Sequence, residues 1–447
     1  MPKLTKRLLL SYSGITLPLA AMGMPLSVYL PPFYAEQLGV SLMTVGVIFT
    51  AARMWDMITD PVMGLVIDRF STRWGRRKHW IVIAIPLILL SIWQLFMPNK
   101  EDVNTLYVGF WLFLLYAGYT MVAITHQTWG AELTTTYDQR SQLFGWREVF
   151  TIGGILLVLT APTALDLLGS AGIGEKVAVM GWFCLITFPI LLIPMLLFVP
   201  DSRGTSTASS DSGIAYREML LTLSRNTLVW RLLSSEFASS FGTTVVASLI
   251  IFLTSYVFEL PEQASVALLL YFTASFVAMP LWLQLAYRFG KDKTMKFALL
   301  YAIFMQIGLI AVAEPGNAPL LWAYTLLYGA AFGAAPTILR SMMADVTDED
   351  ELKNGKNRAG LLFAILTTSG KLGSAIAVGV SYTVLEQFFG FQPGNENSTS
   401  ALNGLLLTYS LCSALGFALA WLPLFRYPLG RIEHNEIRRK LSHQMQS

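Results

Sequence analysis

A chain of 447 residues that is 54% hydrophobic and 13% charged, with a mean hydropathy of +0.55, is not an ordinary soluble domain, where roughly 25% of residues are charged. The net charge of +3 does not point to nucleic acid, because the lysines and arginines sit in short stretches between apolar runs. Two cysteines, Cys184 and Cys412, fall inside such runs in different halves, so no disulfide framework is implied.

Apolar runs long enough to cross a bilayer, about 20 residues each, predict helices over 8–33, 41–68, 79–98, 104–133, 145–168 and 177–199, and again over 228–258, 263–287, 295–314, 318–344, 359–389 and 401–426. The first contains Pro18, Gly23, Pro25, Pro31 and Pro32, breaks expected where a helix bends beside a cavity. The second carries Asp56 and Asp60 within lipid, and an ionisable residue there is a functional hypothesis by default. With Thr59 they project three oxygen-bearing side chains from one face, enough to hold a small cation. A permanent structural network of Asp56, Asp60, Arg53 and Lys371 is the plainer alternative. Burying charge without a functional return is costly, which favours an ion site.

The fourth run, Tyr119 to Glu132, holds His126, Gln127 and Trp129. His126 and Trp129 offer a hydrogen-bonding ring and a stacking ring to a ligand, and His126 reads equally well as a packed histidine. Between the sixth and seventh runs lies Asp201-Ser-Arg-Gly-Thr-Ser-Thr-Ala-Ser-Ser-Asp-Ser-Gly213, too polar to order itself by burial. The expected division is therefore an N-terminal bundle over 1–199, a cytoplasmic linker over 200–227, a C-terminal bundle over 228–427 and a cytoplasmic tail over 428–447. Arginine and lysine concentrate in alternate loops, and the opposite loops carry only Lys100 and Lys176. By the positive-inside rule both termini are cytoplasmic, as in a multi-pass protein of a bacterial inner membrane.

On that cytoplasmic side the first half presents Asp68, Arg69, Arg73, Arg76, Arg77, Lys78 and Arg140, and the second Asp345, Asp348, Glu349, Asp350, Glu351 and Arg358. Opposite charges on the two halves suit a gate. Exposed pairs contribute only about 0–1 kcal/mol each, so a network would be needed, and solvated loop charges are the alternative.

The two halves echo each other: Gly64-Leu-Val-Ile-Asp-Arg-Phe and Arg73-Trp-Gly-Arg-Arg-Lys78 follow the second run, and Leu285-Ala-Tyr-Arg-Phe-Gly-Lys-Asp-Lys293 follows the eighth. Repeated six-span units are a common plan of secondary transporters, with the substrate site between them at the midplane. This loop pattern resembles the signature of the major facilitator superfamily. Arg53-Met-Trp-Asp56, Thr59-Asp60-Pro-Val-Met-Gly64, Arg73-Trp-Gly75 and Lys78-His-Trp80 resemble the second helix and following loop of its melibiose-carrier branch, the glycoside, pentoside and hexuronide cation symporters. Ala344-Asp345, Asp348, Glu351-Leu-Lys353, Arg358 and Lys371-Leu-Gly-Ser-Ala375 resemble that family's tenth-to-eleventh loop and eleventh helix. The resemblance covers nearly the whole chain.

It implies an all-α membrane protein of twelve transmembrane helices in two pseudo-symmetric six-helix bundles. It further implies that Asp56, Asp60, Thr59 and Thr367 ligate a coupling sodium ion or proton, with Lys371 and Arg53 as counter-charges. Thr59 stands where the family has asparagine, which replaces an amide carbonyl by a hydroxyl and leaves the ion open. Ala20 and Ala123 stand where galactoside carriers have aspartates, and Gln127 where a tryptophan is expected; Arg147 matches a family arginine near the site. The expected activity is cation-coupled symport of a small solute, a glycoside or related sugar but not a typical galactoside. A lipid, lysolipid or organic-anion transporter of the same fold is the nearest alternative, and a non-transporting membrane sensor the more distant one. An enzyme is not expected, since no nucleophile–base pair or metal-ligand spacing is present. The expected partners are a small-molecule substrate, a coupling cation and membrane lipid, with no further cofactor.

Overall fold

The computed structural model describes residues 5–69, 72, 75, 77–133, 137–169, 172–201, 226–354 and 358–444. Among these, 12 helices are long and apolar enough to cross a membrane. They are α1 (Lys6–Glu36), α2 (Leu42–Arg69), α3 (Lys78–Phe96), α4 (Thr105–Leu133), α5 (Tyr137–Leu168) and α6 (Ile173–Phe198), then α7 (Thr227–Val257), α8 (Pro261–Phe289), α9 (Lys291–Val312), α10 (Ala318–Asn354), α11 (Ala359–Phe389) and α12 (Thr399–Leu424). A short amphipathic helix, α13 (Arg431–Gln444), follows. The chain is a multi-pass integral membrane protein.

Local chemistry starts these helices where the apolar runs begin. Asn226 Oδ1 accepts from the Leu228 N–H at 3.0 Å, Asn317 Oδ1 from Leu320 at 3.0 Å and Ser398 Oγ from Ala401 at 3.2 Å, each satisfying an amide the helix cannot. Asp201, at the polar end of α6, does the same for α3: its Oδ2 accepts from the backbone N–H of Arg77 at 2.9 Å and of Lys78 at 3.0 Å. The proline-rich stretch of α1 is absorbed as a five-residue π turn, Pro25–Tyr29, which tolerates the amide that Pro25 lacks.

The chain divides into two compact units. Unit 1 comprises Met1–Thr207 with Pro261–Leu269 and Gln392–Asn397, and unit 2 comprises Ala208–Leu260, Leu270–Phe391 and Ser398–Ser447. Of the linker expected over 200–227, residues 202–225 lie outside the described residues. In unit 1 α1 packs along α5, and α2 and α3 pack along α4; in unit 2 α7 packs along α11 and α12. The repeat extends to single residues: a methyl group on Gly154 of α5 would overlap the Leu17 carbonyl of α1, and one on Gly373 of α11 would overlap the Phe237 carbonyl of α7. A glycine therefore sets the approach of first and fifth helices in both units, the small-residue contact typical of membrane helices.

Lys176, which the sequence pattern places in a loop, lies in the first turns of α6, buried in a 2.5 Å ion pair with Asp166 of α5. α10 runs beyond the apolar stretch ending at 344, so the acidic run that the resemblance assigned to a loop is the last turns of a helix. Those turns are held by the Lys353–Glu349 pair one turn apart and by α13 packed against them.

Candidate functional site

The spacing of Arg53, Asp56 and Asp60 brings all three to one side of α2, which packs against α4. Asp56 is only 1% exposed. Opposite stands Thr120 of α4, itself 1% exposed, whose Oγ1 lies 2.7 Å from Asp56 Oδ1 and 3.0 Å from Asp60 Oδ1. A hydroxyl has one hydrogen to give. It donates to one carboxylate at a time, so the other contact sets two acceptor oxygens at hydrogen-bond distance. Two carboxylates and a hydroxyl converging within a span are the ordinary oxygen ligands of a proton or a small metal cation.

Arg53 supplies part of the local charge. Its Nη2 donates to Ser27 Oγ of α1 at 3.0 Å, its guanidinium lies 5.3 Å from the centre of the Tyr116 ring, and it interacts electrostatically with Asp56. Ser27 in turn donates to the Gly23 carbonyl at 2.9 Å. The site is thus built within unit 1 from α1, α2 and α4.

Thr120 carried no signal in the sequence, because a threonine in an apolar helix normally returns its hydroxyl to the preceding turn. Several other intramembrane threonines do so here. Thr128 donates to Ile124 O at 2.8 Å, Thr151 to Arg147 O at 3.0 Å, Thr163 to Leu159 O at 2.7 Å and Thr187 to Phe183 O at 2.7 Å. Thr59 follows the same habit, its hydroxyl 3.1 Å from the Asp56 carbonyl. So does Thr367, exposed on α11 of unit 2, 2.9 Å from Phe363 O. Thr120 is a residue that brings its hydroxyl to both aspartates. Lys371 is half-buried on α11 in unit 2.

The residues considered for substrate contact separate into two groups. His126 and Trp129 hold helices together. The His126 ring stacks on Tyr12 of α1, centroids 4.0 Å apart, and its Nε2 lies 2.8 Å from the Tyr12 carbonyl, while the Tyr12 hydroxyl donates to the His126 carbonyl at 2.5 Å. Trp129 is 1% exposed and donates its Nε1 hydrogen to Pro200 O at 3.0 Å. Ala20 and Ala123 are half-buried and Gln127 is exposed. Arg147 is half-buried over the Phe144 ring at 5.8 Å, and its carbonyl accepts from Thr16 at 3.2 Å.

Of the charges considered for a gate, Arg73 and Arg76 lie outside the described residues, as do the side chains of Asp68, Arg69 and Arg140. Arg77 is buried at the capped start of α3, and Lys78 Nζ donates to Leu196 O at 2.8 Å. In unit 2 the acidic run has local partners. Lys291 Nζ sits 2.6 and 2.8 Å from the two Asp345 oxygens, His434 of α13 lies 3.0 Å from Asp348 and 3.3 Å from Asp345, and Arg358 pairs with Asp350 at 3.0 Å. Glu351 lies on the same turns of α10, half-buried. Burial, and secondarily the neighbouring Asp345, pushes the Tyr427 phenol above its ordinary range.

Twelve spans in two repeated units, with a carboxylate pair and a hydroxyl meeting inside the first, define a secondary transporter of the major facilitator fold. The chain belongs to the MFS/sugar transport protein family, whose profile matches residues 11–431, and it is a transporter and not an enzyme. It is similar to the isoprimeverose transporter of Lactiplantibacillus pentosus, 27% identical over 91% of this chain and 85% of the relative. It is also similar to the sodium-dependent lysophosphatidylcholine symporter 1-A of Danio rerio, 24% identical over 94% of this chain and 85% of the relative. The xylose transporter XylE of Escherichia coli shares the fold, with a TM-score of 0.66 and 15% identity over 95% of this chain and 98% of that one.

Proposed function

We propose that the protein is a cation-coupled symporter that carries a glycoside or related sugar across a bacterial inner membrane, with both termini in the cytoplasm. The observation that carries this reading is the Thr120 hydroxyl shared between Asp56 and Asp60, which gathers carboxylate and hydroxyl oxygens suited to a proton or a small metal cation inside a span. Two further observations support it: a relative named for isoprimeverose transport matches over most of both chains, and lysine and arginine concentrate in alternate loops of the sequence.

In this reading the cation binds first and, with Arg53, offsets the mutual repulsion of the aspartates. Ala20 and Ala123 leave the sugar region without the carboxylates of galactoside carriers, so hydroxyl recognition falls to neutral groups such as Gln127, with Arg147 at the edge. This suits a neutral glycoside without a requirement for galactose. The test is uptake of isoprimeverose and a panel of glycosides by proteoliposomes under imposed sodium or proton gradients. Asp60→Asn is expected to abolish gradient-driven accumulation while leaving exchange of internal for external sugar. Uphill accumulation by this variant equal to the unmodified protein's would overturn the reading. Gradient-driven uptake of lysophospholipid in place of every glycoside would reassign the cargo.

A further inference from the structure

The carboxylate of Glu236, inside a span, is not used by the Asp56–Asp60 site. Glu236 lies on α7, about 14 Å along the axis from Thr227 at roughly 1.5 Å per residue, well inside a hydrocarbon core about 30 Å thick. Its surroundings are built for a carboxyl group. α7 and α11 are packed along each other, and at Gly370 of α11 the missing side chain leaves a slot. A Cβ there would stand 2.8 Å from Glu236 Oε1 and 3.1 Å from Ser240 Oγ. Ser240, one turn further along α7, faces the same Gly370 slot as Glu236, and the charge of Arg340 on α10 bears on the carboxyl group. Lys371 follows Gly370 on α11; of the other helices packed on α7, α10 brings Arg340 and, further along, its acidic end, while α12 carries no charged residue.

We propose that Glu236 is a proton-binding site of unit 2, a carboxyl group that takes up and releases one proton in the transport cycle separately from the Asp56–Asp60 pair. The proposal rests on the reading of the protein as a coupled symporter. The neighbouring groups select a proton over a metal ion. The side chains gathered there supply one carboxylate and one hydroxyl, too few oxygens for a metal shell, and Arg340 adds a positive charge that would repel a metal cation. A carboxylate plus a proton gives a neutral acid that Ser240 can hydrogen-bond. On release, the proton returns to water and the carboxylate is balanced by the Arg340 guanidinium. Both states therefore have partners in place, as a group that cycles between them requires.

Infrared difference spectroscopy of the purified full-length protein across a pH titration reads the proton directly and needs no substrate. The expected result is a protonated-carboxyl band that appears reversibly with acid, is lost in Glu236→Gln, shifts in Glu236→Asp and persists in Asp60→Asn. A titrating band unchanged in Glu236→Gln, or no titrating band at all, would overturn the proposal. Glu236→Asp, with a native elution profile, guards against misfolding of the glutamine variant. In proteoliposomes given a proton gradient, Glu236→Gln is expected to lose at least tenfold in isoprimeverose accumulation and to retain exchange. Accumulation equal to the unmodified protein's, with the same pH profile, would overturn the proposal and leave the symport reading intact. If the unmodified protein shows no gradient-driven uptake, the symport reading fails while the infrared band still decides whether Glu236 exchanges a proton.

Discussion

Thr120→Val removes one hydroxyl and keeps the shape of the side chain, so it isolates the contact on which the ion site depends. In the unmodified protein the Oγ1 stands 2.7 and 3.0 Å from two carboxylate oxygens. A hydrogen bond to a charged group contributes about 1.5–3 kcal/mol, and removing one partner leaves the other unsatisfied at comparable cost. The hydroxyl serves the empty site as a donor to one aspartate and the loaded site as a ligand beside both, so part of the loss cancels. The net effect falls at the low end of that range, about 1.5 kcal/mol, which is roughly a tenfold rise in the half-saturating cation concentration. The assay is initial-rate uptake into proteoliposomes as a function of external sodium and of pH, with Thr120→Ser as the variant that restores the hydroxyl. A Thr120→Val protein with unchanged cation dependence would refute the assignment of Thr120 to the site. So would a Thr120→Ser protein as impaired as Thr120→Val.

Three other expectations follow from the packing. His126→Ala deletes a buried ring and its contact with the Tyr12 carbonyl; the loss is about 2–4 kcal/mol of stability by the usual cost of large-to-small changes, read by thermal unfolding in detergent, with the KM for sugar changed less than twofold. Gly373→Ala forces a methyl group onto the Phe237 carbonyl and is expected to destabilise by about 1–3 kcal/mol, visible as reduced yield of folded protein, whereas Gly153→Ala, with open space around it, serves as the neutral control. Asp201→Ala uncaps α3 at the Arg77 and Lys78 amides and is expected to cost about 1 kcal/mol, measured as a lower unfolding temperature with transport retained.

The spans were legible because their signal is one-dimensional: a bilayer demands some twenty apolar residues in a row, and the chain shows twelve such runs whose bounds differ from the helices by a few residues in most cases. The end of α10 was not, because its last turns are stabilised by charge pairs and by α13 and not by apolar residues. Asp56 and Asp60 stood out as charges in lipid, and Glu236 carries the same signal. Thr120 did not, since its partners lie 64 and 60 positions away and nothing local distinguishes it from threonines that bond their own helix. His126 was visible as a polar ring in a span. Its Tyr12 partner, 114 positions away, is what identifies it as a clasp between α1 and α4, and such pairings arise only when helices pack.

The most direct test of the account runs the coupling in reverse. With no imposed ion gradient, an inward gradient of isoprimeverose is applied to proteoliposomes, and internal sodium and pH are followed by fluorescent reporters. The account predicts that a cation enters with the sugar in the unmodified protein and that Asp56→Asn and Asp60→Asn move sugar down its gradient with no accompanying ion. Sugar entry without cation movement in the unmodified protein would contradict it.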